Sequence, residues 1–281
     1  MTENRPNGTD PTADKIAQWW QTELIDMKPG VIRFRGYAIE DLIGRVSFPA
    51  MIWLMLRGEL PTPEQADLLG AALVAAVDHG PQAPSIAIAR MAATCGVGIN
   101  SAMASAINAL GDVHGGAGQQ AMAIYAAVAA RIEAGAPVDA AAEAEIAERL
   151  AAKRMIEGFG HRFHPIDPRA PRLLALVGQA QAAGVVSGRY AAIGVAVEEA
   201  LFRLKGRRLP MNIDGATAVI YSELGFPAEL GRGLFVLSRS VGILAHAWEQ
   251  TQQGGRIKGP VPPSVDYGYT GPAPRALEDA R

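Results

Sequence analysis

What this sequence has little of narrows its reading before any motif is considered. One cysteine, Cys95, stands among 281 residues, so no internal disulfide framework or cysteine-rich zinc site can form. Lying among Ala93, Thr94, Gly96 and Val97, it reads as a small buried residue. Neither sign of charge dominates: 26 Lys and Arg against 28 Asp and Glu leave a net charge of −2 and a pI near 6.2. Nucleic-acid binding would call for a clustered basic excess, so no nucleic-acid partner is expected. Long lipophilic runs are missing as well. The least charged stretch, Ile86 to Leu110, is interrupted by Arg90, Asn100 and Asn108 and is rich in Ala, Gly and Ser, which suits packed interior helices better than a membrane span. The segment Met1 to Asp14 is polar and lacks the apolar core of a signal peptide, so a cytoplasmic protein is expected. No strand is followed by a Gly-rich phosphate loop, which removes P-loop and dinucleotide-binding readings.

What is present is mostly helix. With 49% hydrophobic residues the chain can bury a substantial core, as one large domain or two smaller ones. Thr62-Pro63-Glu64-Gln65 opens a helix, with Thr62 as cap, Pro63 in the first turn and Gln65 closing a capping box. Asp167-Pro168 is a second start, and apolar spacing continues through Leu173, Leu174, Leu176 and Val177. A third stripe runs from Ile193 to Leu204 and stops at Gly206. A long pattern from Pro227 to Gln252 makes one or two helices ending at Gly254-Gly255, and Ala136 to Lys153 is Ala-rich and partly solvated. Strand signals are confined to Val31–Tyr37, whose alternation suits a small N-terminal hairpin.

The five histidines carry the chemical interest. Two lie in glycine-rich settings, Gly111-Asp112-Val113-His114-Gly115-Gly116-Ala117-Gly118 and Gly158-Phe159-Gly160-His161-Arg162. Glycine there lets backbone approach a ligand and leaves N–H groups turned toward anions. Taken singly, each histidine could be an ordinary turn residue, and Asp214 in Asn212-Ile213-Asp214-Gly215-Ala216 could be a helix N-cap. Arg169 follows His161 by eight residues, close enough to share its loop. Arg239 sits in an otherwise apolar helix, where burying a guanidinium is costly unless it meets an anion, and His246 lies seven residues on, on the same face. No two histidines have tight metal-ligand spacing with carboxylate or cysteine support, so no metal is expected. Two imidazoles, one carboxylate and two semi-buried arginines can enolise a thioester and hold a dicarboxylate beside it.

In sequence order, over most of the chain, these motifs resemble the citrate synthase superfamily. Pro29–Leu42 and Phe48–Pro61, ending Arg57-Gly58-Glu59-Leu60-Pro61, resemble its N-terminal signatures. Asp78-His79 with Ser85 matches a substrate-contacting histidine and a nearby serine. His114-Gly115-Gly116-Ala117 and Gly158–Arg162 resemble the two catalytic histidine motifs, Asn212-Ile213-Asp214 the catalytic aspartate motif, and Ser238-Arg239 with His246–Gln250 the late helix. The resemblance implies an all-α fold with a minor β-hairpin. A large domain of residues 1–116 and 215–281 would carry a small helical domain, 117–214, inserted into it, with the site in the cleft and closure excluding water. It implies that Asp214 is the enolising base, that His114 donates to the thioester oxygen, and that His161 polarises the keto oxygen. His79, Arg169, Arg239 and Arg256 would hold carboxylates, and Gly158, Gly160, Arg162 and Lys205 would lie at coenzyme A. No tightly bound cofactor is implied, only a coenzyme A thioester as substrate, and a homodimer or higher homo-oligomer.

Some residues depart from the family pattern. The chain is short for a citrate synthase, nearer citryl-CoA lyases and the lyase module of ATP-citrate lyase. The His161–Arg169 spacing is one residue tighter, Gly118 stands where Asn is common, and Gly259 stands where an Arg precedes Pro in the tail, with Arg256 or Lys258 as substitutes. The resemblance therefore implies citryl-CoA lyase, cleaving citryl-CoA to acetyl-CoA and oxaloacetate. Citrate synthase or 2-methylcitrate/alkylcitrate synthase is the alternative, and a non-catalytic coenzyme A-binding subunit a more distant one.

Overall fold

The structure is a computed structural model that describes residues 11–262 and 264–276; the first ten residues of the polar N-terminal segment lie outside them. The described chain runs α1 (Pro11–Trp19), β1 (Ile25–Lys28), β2 (Val31–Phe34), β3 (Tyr37–Ala38), α2 (Ile39–Leu42), α3 (Phe48–Arg57), α4 (Pro63–Ala75), α5 (Pro84–Ala93), α6 (Ile99–Asn108), α7 (Ala117–Glu133), α8 (Val138–Ala151), α9 (Arg169–Ala182), α10 (Arg189–Lys205), α11 (Ile213–Glu223) and α12 (Ala228–Gln253). The all-α expectation with a minor N-terminal sheet holds.

Local chemistry accounts for the element ends. The capping box at α4 is reciprocal: Gln65 N–H donates to Thr62 Oγ1 at 3.2 Å, and Thr62 N–H to Gln65 Oε1 at 3.0 Å. The expected hairpin Val31–Tyr37 forms, joined by Arg35 (φ 49°) and Gly36 (φ 89°), the two positive values that a tight primed turn requires. A strand not anticipated from sequence, β1, completes a three-stranded antiparallel sheet in the order β1-β2-β3. Its Ile25-Asp26-Met27-Lys28 shows only two alternating apolar positions, too few to stand out. Pro227 to Gln252 yields the single helix α12, stopped by Gly254 and Gly255 in left-handed backbone. Cys95 is a correction: it is exposed, because α5 ends at Ala93 with Thr94 as its C-cap and the chain turns at Cys95-Gly96 before α6 begins.

The described residues form two compact units. One comprises those up to Ala75 with Ala117–Arg232, the other Ala76–Gly116 with those from Gly233 onward. In the first unit α11 is the central element, packed against α4, α7, α9 and α10. It is buried almost all round, with Ala216, Ala218, Val219 and Ile220 inaccessible, as suits a helix whose apolar residues do not confine themselves to one face. Arg57 lies over the Trp53 and Phe226 rings (5.4 and 5.5 Å) and donates to the carbonyls of Leu224 and Gly225, closing the C-terminal end of α11. In the second unit Ile86, Ala89, Ala102, Ala106, Leu110, Ile243 and Ala247 form the core of α5, α6 and α12. The alanines let α5 and α6 pack closely, as the Ala-rich stretch Ile86 to Leu110 suggests.

Two glycines test this packing in opposite directions. A Cβ at Gly215 would strike the Gly158 carbonyl and lie 2.6 Å from Met211 Cγ, whereas at Gly178, exposed in α9, nothing lies within 4 Å. Gly215→Ala should therefore lower the unfolding free energy by about 1–3 kcal/mol. Gly178→Ala should raise it by about 0.5–1 kcal/mol through helix propensity and unfolded-state entropy. Urea titrations of both variants check the pair.

Candidate active site

In the first unit, the segment carrying His161 and the helix carrying Asp214 are knitted together by backbone. Asn212 N–H donates to Gly158 O at 2.9 Å, Gly160 N–H to Pro210 O at 2.7 Å, and Asn212 Nδ2 to Gly160 O at 2.7 Å. Both glycines have positive φ, 90° and 79°. Gly158 also packs so close to α11 that a Cβ there would lie 2.9 Å from Gly215 Cα. The N-cap of α11 is Asn212, whose Oδ1 accepts from Asp214 N–H (2.9 Å) and Gly215 N–H (3.2 Å). Asp214 is thus not the cap, and its half-buried carboxylate sits in the first turn, where the helix dipole favours a negative charge.

One residue that sequence reasoning marked only as a helix start ties these pieces to Arg169. The Asp167 side chain is completely buried and accepts from Arg169 Nε (2.9 Å), Arg169 Nη2 (2.9 Å), Arg169 N–H (3.1 Å) and Ile213 N–H (2.9 Å). Burial works against its ionisation, and the Arg169 and Ile213 donors outweigh that, holding its pKa at about 2. Arg169 spends part of its guanidinium on this carboxylate and donates from Nη1 to Ala75 O at 3.4 Å. Asp167 was legible only as a helix start, although an aspartate two residues before an arginine at such a start was the available signal.

His161 is half-buried, and its Nδ1 accepts the N–H groups of Phe163 and His164, each at 3.1 Å. A backbone N–H can only donate, so the neutral ring carries its proton on Nε2. Arg162 and Lys205, the latter ending α10, are exposed on the same unit.

The second unit holds His79, His114, Arg239 and Arg256. His114 Nε2 lies 3.2 Å from the Ser85 amide nitrogen and 3.0 Å from Ser85 Oγ, and Ser85 is fully buried. The Ser85 N–H makes Nε2 an acceptor, so this ring carries its proton on Nδ1, opposite to His161. Burial, and secondarily the Arg239 guanidinium, push the His114 pKa below the ordinary imidazole value. A neutral imidazole with a fixed N–H results, suited to donating to an oxygen that gains charge. Arg239 is 5% exposed, donates from Nε to Ala76 O at 3.0 Å and lies over the Phe235 ring at 4.8 Å. His79 and Arg256 are exposed. Beside Arg256 the tail is pinned by Ile257 N–H to Thr94 O (3.1 Å) and Lys258 N–H to Thr94 Oγ1 (2.9 Å). Lys258 Nζ donates to Gln250 Oε1 at 3.2 Å.

The sequence profile described as "Citrate synthase, C-terminal domain" matches residues 13–71 and 61–260. The chain belongs to the citrate synthase family. It is 34% identical over 216 residues to a citrate synthase of Deinococcus radiodurans, covering 76% of this chain and 54% of that protein. Among solved structures, a citryl-CoA lyase from Hydrogenobacter thermophilus superposes with a TM-score of 0.81 at 34% identity, covering 92% of this chain and 97% of the lyase. Citrate synthase from Thermoplasma acidophilum, solved as a ternary complex with carboxymethyl coenzyme A and oxaloacetate, gives 0.66 at 26% identity, covering 83% and 59%. The chain spans about half the length of the curated relatives it matches. The family likeness agrees with the citrate synthase-like fold expected from the motifs.

Asp167 yields a prediction with a definite sign. Its folded pKa, about 2, is depressed from 3.8, so its stabilisation is full above pH 4 and is lost as pH falls through about 2. Asp167→Asn should cost about 3 kcal/mol at pH 7 by leaving Arg169 without its anion. It should also flatten the stability profile between pH 4 and 2, which urea unfolding across that range would measure.

Proposed function

We propose that this family member makes and breaks the carbon–carbon bond between acetyl-CoA and oxaloacetate, and that it acts as a citryl-CoA lyase. The observation that carries the thioester half of this reading is the Ser85 N–H on Nε2 of His114, which presents Nδ1–H from a neutral, half-buried ring. In the condensation direction Asp214 removes a proton from the thioester methyl. The electron pair moves onto the carbonyl oxygen, which His114 stabilises by hydrogen bonding. The carbon so activated attacks the keto carbon of oxaloacetate while His161 Nε2–H donates to the keto oxygen, and the proton taken by Asp214 passes through solvent to the resulting alkoxide, giving the citryl hydroxyl. Cleavage reverses each step, with Asp214 in its acid form returning the proton to carbon. His79, Arg169, Arg239 and Arg256 hold carboxylates, where a guanidinium matches a carboxylate fork. Gly158, Gly160, Arg162 and Lys205 serve coenzyme A.

The lyase reading rests on the likeness to citryl-CoA lyase and on Gly259, which brings no guanidinium of its own and leaves Arg256 as the guanidinium of the 256–260 tail segment for the citryl carboxylates. Hydrolysis of citryl-CoA needs a placed water as well as a placed substrate. The division into a large domain, 1–116 with 215–281, and a small one, 117–214, belongs to the same proposal. So does homodimerisation, which an exposed stripe on α12 favours: Leu237, Val241, Leu244 and Trp248 recur at four, three and four residues and are 44–58% exposed. We read the setting as cytoplasmic; among the described residues no helix is long and apolar enough to cross a membrane.

Chemically prepared citryl-CoA tests the reaction. Oxaloacetate should be the main product; citrate with free thiol would instead make the chain a citrate synthase. Asp214→Asn should reduce kcat by about 10²–10⁴-fold with the fold intact. Solvent-deuterium exchange into the acetyl-CoA methyl at an undiminished rate in that variant would remove Asp214 from the role of base.

A further inference from the structure

Along α12, three successive contacts meet three successive residues of the segment before His79. Arg239 Nε donates to Ala76 O at 3.0 Å. At Gly242 an added Cβ would strike Val77 O and lie 3.2 Å from Asp78 Cβ, so the helix backbone itself lies against the segment there. His246 Nε2 lies 3.2 Å from Asp78 Oδ2. Positions 239, 242 and 246 share one helical face, which runs alongside residues 76–78 as a splint.

The last contact has a consequence for His79. Asp78 Oδ2, the oxygen that faces His246, also accepts Gly80 N–H at 3.2 Å. That i to i+2 hydrogen bond closes an Asx turn with His79 as its middle residue, and Gly80 supplies φ 81°. The orientation of the Asp78 carboxylate therefore sets the backbone that carries His79. His246 is itself fixed. Arg90 Nη1 lies 3.2 Å from its Nδ1 and can only donate, so Nδ1 accepts and Nε2–H points to Asp78. Arg90 is anchored in turn by Glu249 and by Gln253 Oε1 at 2.6 Å, both on α12. A directed relay runs Arg90, His246, Asp78, ending on the turn that displays an exposed imidazole.

We propose that His246 is a positioning residue: through Asp78 it fixes the turn that presents His79, and thereby sets affinity for the keto-dicarboxylate. The proposal rests on the function given above, in which His79 binds a carboxylate of that substrate. His246 touches no reacting atom in this scheme. Its effect falls on one substrate rather than on catalysis as a whole, since a displaced His79 weakens a carboxylate contact and leaves the thioester contacts alone.

The test uses the full chain and three forms: wild type, His246→Ala and His246→Gln. Glutamine keeps an acceptor for Arg90 and a donor for Asp78 at the separation of the two ring nitrogens. His246→Ala should raise KM for oxaloacetate about tenfold, the scale of one directed hydrogen bond. KM for acetyl-CoA should stay within about twofold, and His246→Gln should recover most of the loss. An equal rise in both KM values, unrelieved by glutamine, would make His246 merely structural and overturn the proposal. A second readout needs no turnover. In protein labelled with 13C at histidine, His246→Ala should shift the His79 ring signals while those of His161 stay in place, and His246→Gln should restore them. Unmoved His79 signals overturn the positioning role even where activity changes. If the wild type turns over neither substrate, the functional reading falls, and the His79 signals still decide whether His246 positions that turn.

Discussion

The carboxylate of Asp167 is buried without any exposed surface and meets four donors. An ionised group so placed is tolerated only when its hydrogen-bonding capacity is filled, and these donors come from two places: α9, through Arg169, and the first turn of α11, through the Ile213 N–H. One side chain thus joins the end of the His161 segment to the start of the Asp214 helix. The constraints around it follow from that join. Asn212 can cap α11 and reach back to Gly160 because the two backbones are held within hydrogen-bond reach. Gly158 and Gly215 must both lack side chains because those backbones touch. A site that requires a base and an imidazole in fixed relation gains more from such a rigid frame than from any single strong contact.

The two histidines of the proposed chemistry are fixed by the same device applied to opposite ring nitrogens. Backbone N–H groups occupy Nε2 of His114 and Nδ1 of His161, so each ring is left with one donor whose identity its surroundings determine. Neither arrangement needs a carboxylate partner, which would favour the protonated ring and turn a neutral donor into a cation. For His114 the direction of its pKa agrees: burial and the Arg239 charge both disfavour imidazolium. Enol formation gains from a hydrogen bond that strengthens as charge develops on oxygen, and a neutral donor already in place supplies it without reorganisation.

How much of this was legible in the sequence depended on range. Local signals were read correctly: the capping box at Thr62–Gln65, the stop at Gly206 and the small hairpin within Val31–Tyr37 all act within a few residues. The order of the histidine and aspartate motifs was legible too, and the family match agrees with it. What escaped were contacts between distant residues. Asp167 was taken for a helix start since its link to Ile213 spans 46 positions and leaves no periodic trace. Arg90 was noted only as an interruption in an apolar run, yet it reaches His246 and Glu249 more than 150 residues away. Cys95 was misjudged because its small apolar neighbours suggest an interior, while the actual cause of its exposure is where α5 ends.

Family membership leaves the choice of reaction to details outside the shared core. In the proposed scheme bond formation and cleavage draw on the same groups, Asp214, His114 and His161, so a lyase and a synthase can agree at all three. The difference lies in the fate of citryl-CoA. Holding it for hydrolysis demands that its carboxylates be clamped long enough for water to attack, whereas releasing it as two products demands only that the bond break. Arg239 and Arg169 both divide their guanidinium groups between protein carbonyls or Asp167 and whatever else they meet. Lys258 is tied to Gln250, and Gly259 brings no charge. On the proposed reading the 256–260 tail segment is left with Arg256 alone as a guanidinium, and a weaker clamp penalises the water-dependent step before it penalises bond cleavage. In this proposal that asymmetry, rather than the identity of the catalytic groups, is the physical argument for the lyase.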